Sequence, residues 1–387
     1  MVKPLRRRGR QAGAALLLAL LIMTLVATLA ASMVWLQWRG IEVEAAERAR
    51  SQAEWLLNAS LDWGNLILKS SIRNNYQDDD LGQPWATPLA ETKLSSFLSA
   101  DGNHDAEGGP EAYLSGQISD AESKYNLYNL VVPAAVPAGG AVNAKFDEIN
   151  RFKILCTAIG IAPNIATTLG SGLRNSWDAQ QAAITGGQAG DSVLMPVQLE
   201  DLAWYGIDPK VLKQLQPFVQ LLPPANGEVP AITNINLNTA PAEVLMAAVP
   251  GLTRAQAQQM ILSRQTHPFI SLAAAWTSYG VGAVAPKIPD GDPPLQAAFK
   301  SQHFEIYGQL RLEQHVVRER SVVYRKDQFA PIQVLRRERI PPDATGGLAR
   351  RYRDHGRASD APTPGVSVFP QHRVTQSRRN VHGHRPQ

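Results

Sequence analysis

Four oxygen-bearing side chains at alternate positions, Asp101, Asn103, Asp105 and Glu107 in DGNHDAEGGPE, have the spacing with which hard ligands begin a calcium loop. The rest of such a loop differs here: Ala106 stands where the turn glycine belongs and Ala112 where the closing glutamate belongs. Gly, Asn and Asp also build plain surface turns. Calcium is therefore the one cofactor the sequence suggests, against a simple loop as the alternative. QDDD at 77–80 reads as a second acidic loop, solvated rather than liganded. The eight histidines are scattered, and no nucleophile elbow, His-Glu-x-x-His or phosphate-loop pattern occurs. Cys156, the single cysteine, has no disulfide partner and reads as a buried apolar residue. No enzyme is expected.

INLNTAPAEVLMAAVPGLTRAQAQQMILSRQ has the form of a helix-hairpin-helix unit. Nucleic-acid-binding versions place two glycines in the hairpin so that backbone N–H groups meet a phosphate. Here Pro250 and Gly251 form the turn and Thr253 takes the second glycine's place. Ala240, Val244, Leu245, Val249, Leu252, Ile261 and Leu262 are its expected core. Charge argues the same way. The formal net charge is +4, but the leader (Lys3, Arg6, Arg7, Arg8, Arg10) carries +5 and the stretch from Arg336 onward carries +7, so the body between them is −8. An acidic body is a poor phosphate surface, and packing is the expected role of the hairpin.

Those residues hang on a distinctive N-terminal element. No charge occurs from Gln11 to Trp38, roughly 28 residues and about 40 Å of helix, enough to span a bilayer core of about 30 Å. A secretory h-region is shorter, although TLAAS at 28–32 offers small residues for a signal cut. Basic residues before the span and Glu42, Glu44 and Glu47 after it place the N-terminus in the cytoplasm and the body outside. Beyond the span Ala45, Ala49, Ala53, Leu56, Trp63 and Ile67 keep helical spacing, so one long helix, amphipathic in its second half, is expected.

After Pro84 come short helices with Pro or N-cap starts, among them FDEINRFKILCTAIG, NIATTLGSGLRNSWDAQQAA and DPKVLKQLQPFVQLL. HFEIYGQLRLEQH, SVVYRK and PIQVLRRE then alternate as antiparallel strands. The fold class expected is α+β. A long N-terminal transmembrane helix packs on a C-terminal antiparallel sheet, with a large helical domain inserted and the hairpin unit inside it. The divisions are a leader (1–13), a transmembrane helix (14–38), its continuation outside the membrane (39–84), the insertion (85–298), the strands (299–338) and a tail (339–387). The tail is rich in Pro, Gly, Arg and Ser, too poor in apolar residues to fold alone.

A short basic leader ending in Gly13, followed at once by AALLLALL, resembles the leaders of type IV pilins and type II secretion pseudopilins. QPWATPLAETKL (83–94), GQISDAESKYNLYNLV (116–131), PVQLEDLAWYGIDPKVLKQLQPFVQLLP (196–223) and INLNTAPAEVLMAAVPGLT (235–253) extend the resemblance to the K-type minor pseudopilins of the type II secretion system. NSWDAQQA (175–182) departs from the acidic run usual there, with Asp178 its only acid.

The resemblance implies several things. A prepilin peptidase cuts after Gly13 and methylates Ala14. Leu18 stands at the fifth mature position, where most members have glutamate, a carboxylate costly to bury without a partner amine. The chain is a single-pass protein of the bacterial inner membrane with a periplasmic body, sitting at the tip of the pseudopilus. Its implied partners are the H, I and J minor types and the inner-membrane secretion platform, with no nucleic acid. A membrane-anchored nucleic-acid receptor and a secreted soluble protein are the other readings.

Overall fold

The structure is a computed structural model of the 387-residue chain, and it describes residues 12–73, 77–93, 112–132, 148–186, 193–224, 232–278, 295–312, 315–327 and 329–340. All of these lie in the first of two compact units, Met1–Pro342. Helix α1 runs unbroken from Ala12 to Arg73, 62 residues, or about 93 Å. It ends short of the expected boundary at 84, and Pro84–Ala86 form a separate 3-10 turn.

A five-stranded sheet receives the second half of α1. Its strands are β1 (Leu89–Lys93), β2 (Ala112–Asp120), β7 (His303–Leu312), β8 (His315–Tyr324) and β9 (Gln333–Ile340), paired antiparallel in that order. Two strands thus come from the region read as a helical insertion. β1 is a polar edge strand with Leu89 as its one large apolar residue, and the inward positions of β2 include Ala112 and Gly116, so neither shows a strong two-residue apolar period.

Phe304, Ile306, Leu310 and Leu312 of β7 point to the helix, where Ala53, Leu57, Leu61 and Leu68 meet them. Gly64 permits the close crossing, since a Cβ there would sit 3.2 Å from Ile306. The expected apolar face is covered in part. Ala53 is buried as expected, but Trp63 is 41% exposed, and Leu56 and Ile67 are half-buried beside the covered stripe. Ala49, Leu56 and Ile67 pack against the edges of the sheet-side clusters, so the covered stripe overlaps the expected one and Trp63 stands at its open margin.

A second hydrophobic core belongs to the helical region. It comprises α2 (Glu148–Ala158), α3 (Asn164–Ile184), a 3-10 segment (Leu199–Tyr205), α4 (Pro209–Leu215), α5 (Ala242–Ala248), α6 (Arg254–Thr266) and α7 (Leu272–Thr277). Two short parallel ladders, β3 (Tyr125–Asn126) with β4 (Val219–Gln220) and β5 (Ile235–Asn236) with β6 (Ala297–Ala298), stitch it together. Phe152, Leu155 and Cys156 of α2 are fully buried, and burial pushes the Cys156 thiol up to about 12, an inert residue as expected.

Candidate functional site

The first functional feature is the exposed half of α1. Every residue from Ala14 to Arg48 is exposed, including Leu16, Leu21, Leu29 and Trp35. One helix among the described residues is long and apolar enough to cross a membrane, and it is this one. A soluble monomer does not leave so much contiguous carbon in water. Thr24, Thr28 and Ser32 donate their hydroxyls to the carbonyls of Leu21, Leu25 and Leu29 at 2.7–2.9 Å, which satisfies them without water. Arg39 lies 5.5 Å from the Trp35 ring, an aromatic and a cation at the end of the span where an interface is expected. Gly13 and Ala14 fall in the first turn of α1, and Leu18 is one exposed apolar residue among many.

The second feature is a polar seam between the two cores. Asp120, at the end of β2, is buried and accepts four hydrogen bonds: from Asn236 Nδ2 (2.9 Å), Thr239 Oγ1 (2.5 Å), Ser301 Oγ (2.7 Å) and the Glu122 amide (2.8 Å). Burial, followed by the charge of Glu122, pushes its carboxyl up to about 7, while those hydrogen bonds oppose the shift. Glu122 Oε1 in turn takes the His303 ring at 2.7 Å and the amides of Gln302 and His303.

Asp79 and Arg325 form the seam's charged centre. Their side chains are 5% and 4% exposed, and Arg325 Nη2 reaches both Asp79 oxygens at 2.7 and 2.6 Å. Arg325 also donates to Leu68 O and Ser71 Oγ, so it grips the last turns of α1 and lies 4.4 Å from the Phe304 ring. The expectation of a solvated QDDD loop is therefore corrected. Asp78 and Asp79 are 8% and 3% exposed, and the counter-charge that permits this comes from Arg325, far along the chain. Burial, followed by Asp80 and Asp79, pushes Asp78 up to about 6.

These contacts give the quoted motifs their physical meaning. In INLNT, Asn236 joins Asp79 O, Asp120 and Ser301, while Asn238 exchanges hydrogen bonds with the backbone of Phe269. In SKYNLYN, Asn126 and Asn129 hold Leu222 and Thr233. Gln83 and Trp85 are locked by Trp85 Nε1 to Gln83 Oε1 and by Gln83 Nε2 to Asp78 O. The signal available in the sequence was a set of short polar residues inside apolar stretches. What it lacked was the distant partner of each.

The hairpin unit is packed rather than presented. Ala240, Val244, Leu245, Val249 and Leu252 are buried and Ile261 is partly so, as expected, but Leu262 is 65% exposed. Ala257, Met260 and Arg264 take the inward face of α6 instead, and Arg264 donates to Leu237 O and Ala240 O at 2.6 and 2.7 Å. Gly251 has φ +84°, which glycine alone adopts without strain. Thr253 caps α6: its hydroxyl takes the Gln256 amide, and Gln256 Oε1 takes the Thr253 amide. Those are amides a phosphate would require. Arg254, the cation at that helix start, is held by Glu243 at 2.5 Å.

The calcium candidates Asp101, Asn103, Asp105 and Glu107 lie outside the described residues. Among the described residues, no group of three or more His, Cys, Asp or Glu side chains is placed to hold a metal.

Comparison with known proteins points one way. The family model described as "Type II secretion system (T2SS), protein K" matches residues 235–291, the segment that begins at β5 and contains the hairpin unit. No curated protein matches the chain. Among solved structures, a chain from the crystal structure of the GspK-GspI-GspJ complex of the enterotoxigenic Escherichia coli Type 2 Secretion System is similar at 16% identity. That likeness covers 76% of this chain and 98% of that one, with a TM-score of 0.50, and at that identity it speaks for the fold. The hairpin segment is thus similar to protein K of the type II secretion system, and the fold of the chain is similar to that of a chain from the GspK-GspI-GspJ complex.

Proposed function

We propose that this chain is an inner-membrane minor pseudopilin that joins and caps the tip of the type II secretion pseudopilus. The observation that carries the reading is α1 itself, one unbroken helix whose first half is bare and apolar and whose second half is built into a sheet. Such a subunit stores in a membrane and transfers to a helical filament by exchanging lipid contacts for contacts with other apolar helices. Its work on this reading is mechanical and organisational.

Capping follows from bulk. The helical region with its own core adds a second body beside the sheet, and such a body would obstruct the addition of a further subunit above it. Leu18 fits the same position, because a terminal subunit has no neighbour above to which a buried glutamate must answer. Processing after Gly13 with methylation of Ala14, a cytoplasmic N-terminus, a periplasmic body and the H, I and J types as partners complete the proposal. The I and J types are the partners named with the similar solved chain.

Co-purification tests it. The full chain, expressed in one membrane with the I- and J-type subunits, is expected to return both in a complex that no additional major pseudopilin extends. Recovery of the chain alone would contradict the partner assignment. Extension beyond the chain would contradict the cap.

A further inference from the structure

β9 runs toward the apolar half of α1. Arg337 on this strand reaches Asn58, and Arg339, two residues further on, reaches Glu54, so each step along the strand descends the helix. The strand ends at Ile340. Sixteen residues of α1 separate Glu54 from Trp38, where the uncharged span ends, which sets the foot of β9 about 24 Å from the span along the helix axis.

The sequence that leaves this point is strongly cationic. Residues 341–387 lie outside the described residues, and they hold eight arginines, no lysine and three aspartates, a net charge of +5. Four of the arginines fall between 350 and 357, and the other four, with three histidines, in the stretch 361–387, which has no acid at all. An extended chain spans at most about 3.3–3.6 Å per residue, so the ten residues from Ile340 to Arg350 can cover about 33 Å and every one of these arginines is within reach of the surface that Trp38 marks. The acids flanking the foot of the strand are already matched: Glu54 by Arg339 and Arg50, Glu319 by Arg337, and Glu338 by Arg320. Lower on α1, Glu44 is matched by Arg48, and Glu42 and Glu47 are two charges against a net +5. A bilayer surface offers many anionic phosphodiesters, each arginine brought to it favours binding about fivefold, and the guanidinium fork meets phosphate oxygens in pairs.

We infer that residues 350–387 make a second, electrostatic membrane contact, in which their arginines bind the anionic phospholipid headgroups of the leaflet that faces the sheet. This rests on the reading of α1 as a membrane anchor and goes beyond it by naming a lipid class and the segment that takes it.

The test reconstitutes the full chain carrying Ser377→Cys in lipid nanodiscs of phosphatidylcholine alone or of equal parts phosphatidylcholine and phosphatidylglycerol, with a nitroxide on position 377. Cys156 is buried and its thiol is pushed up to about 12, so it stays unlabelled. Accessibility of the label to a neutral, water-soluble relaxation agent is expected to fall at least about threefold in the anionic discs. It should recover in about 1 M salt, where the Debye length is about 3 Å. A second variant that adds Arg373→Gln, Arg378→Gln, Arg379→Gln and Arg385→Gln should lose the difference between the discs. Equal accessibility in the two discs at low salt, or a fall that survives the four substitutions, would overturn the lipid contact and leave the anchor standing. Low accessibility already in phosphatidylcholine would put the segment on the chain's own acids, and a fall that requires the I- and J-type subunits would put it on a protein partner; either overturns the lipid contact. A chain that enters neither disc would overturn the membrane reading and the contact together.

Discussion

Along its first half α1 holds Leu16, Leu21 and Leu29 more than half exposed, whereas the Asp79–Arg325 pair that grips its last turns is about 95% buried. One end shows carbon to solvent and the other hides charge, and both reverse the usual arrangement. The difference lies in completeness. At the buried end Asp79, Asp120, Asn236 and Arg325 take their hydrogen-bond partners from this same chain, so the seam is a structural joint. Nothing in the described chain covers the apolar end, which is long and apolar enough to cross a membrane.

Breaking the finished end is expected to cost most. Asp79→Ala leaves Arg325 buried without its carboxylate and should destabilise the chain by about 3–5 kcal/mol, read from denaturant unfolding of the purified chain in detergent. A loss below about 1 kcal/mol would show that the seam is not a joint. Next come the two faces of α1. Leu57→Ala, on the covered face, should cost about 2–5 kcal/mol of folding stability. Trp63→Ala, on the open face, should cost much less in the isolated chain, and equal losses would erase the distinction between the faces.

The bare half is sharpened by a charge. Leu21→Lys near the middle of the span should raise the cost of membrane insertion by about 3 kcal/mol and shift the chain out of the carbonate-resistant membrane fraction. Folding of the sheet should not change, because residue 21 touches nothing in it.

The smallest expected effect is that of pH. Asp120, pushed up to about 7, and Asp78, pushed up to about 6, bind their protons more tightly folded than unfolded. Their stabilising contribution is therefore complete below the unfolded carboxylate value near 4 and is lost as pH rises through 6 and 7. The melting temperature should fall between pH 5.5 and 7.5 by about 2–4 °C for each kcal/mol involved, and Asp120→Asn should flatten that slope. A slope of opposite sign would mean that the four donors around Asp120 outweigh its burial.

How much of this was legible in the sequence depended on the range of the interaction. The apolar span of α1 and the alternation of β7 are local patterns, and the structure shows both. The contact face of α1 was readable in part: Ala53 is buried and Ala49, Leu56 and Ile67 pack against the sheet-side clusters, whereas Ala45 and Trp63 stay exposed. Periodicity reports that a face wants burial and not what buries it. Asp78 and Asp79 were misread for a related reason, since an acidic run looks solvated until Arg325 is placed against it. Leu262 was assigned inward by its side chain alone, but α6 turns Arg264 inward to bond two carbonyls and leaves Leu262 outside. The hairpin core was legible because its spacing and its contacts lie within one short segment.

The measurement that tests the central claim most directly is the mature N-terminus of the full chain, by intact mass and peptide sequencing, with and without prepilin peptidase. The account expects a chain beginning at methylated Ala14 when the peptidase is present and at Met1 when it is absent. A start near residue 33, or an uncut Met1 in the presence of the enzyme, would contradict it.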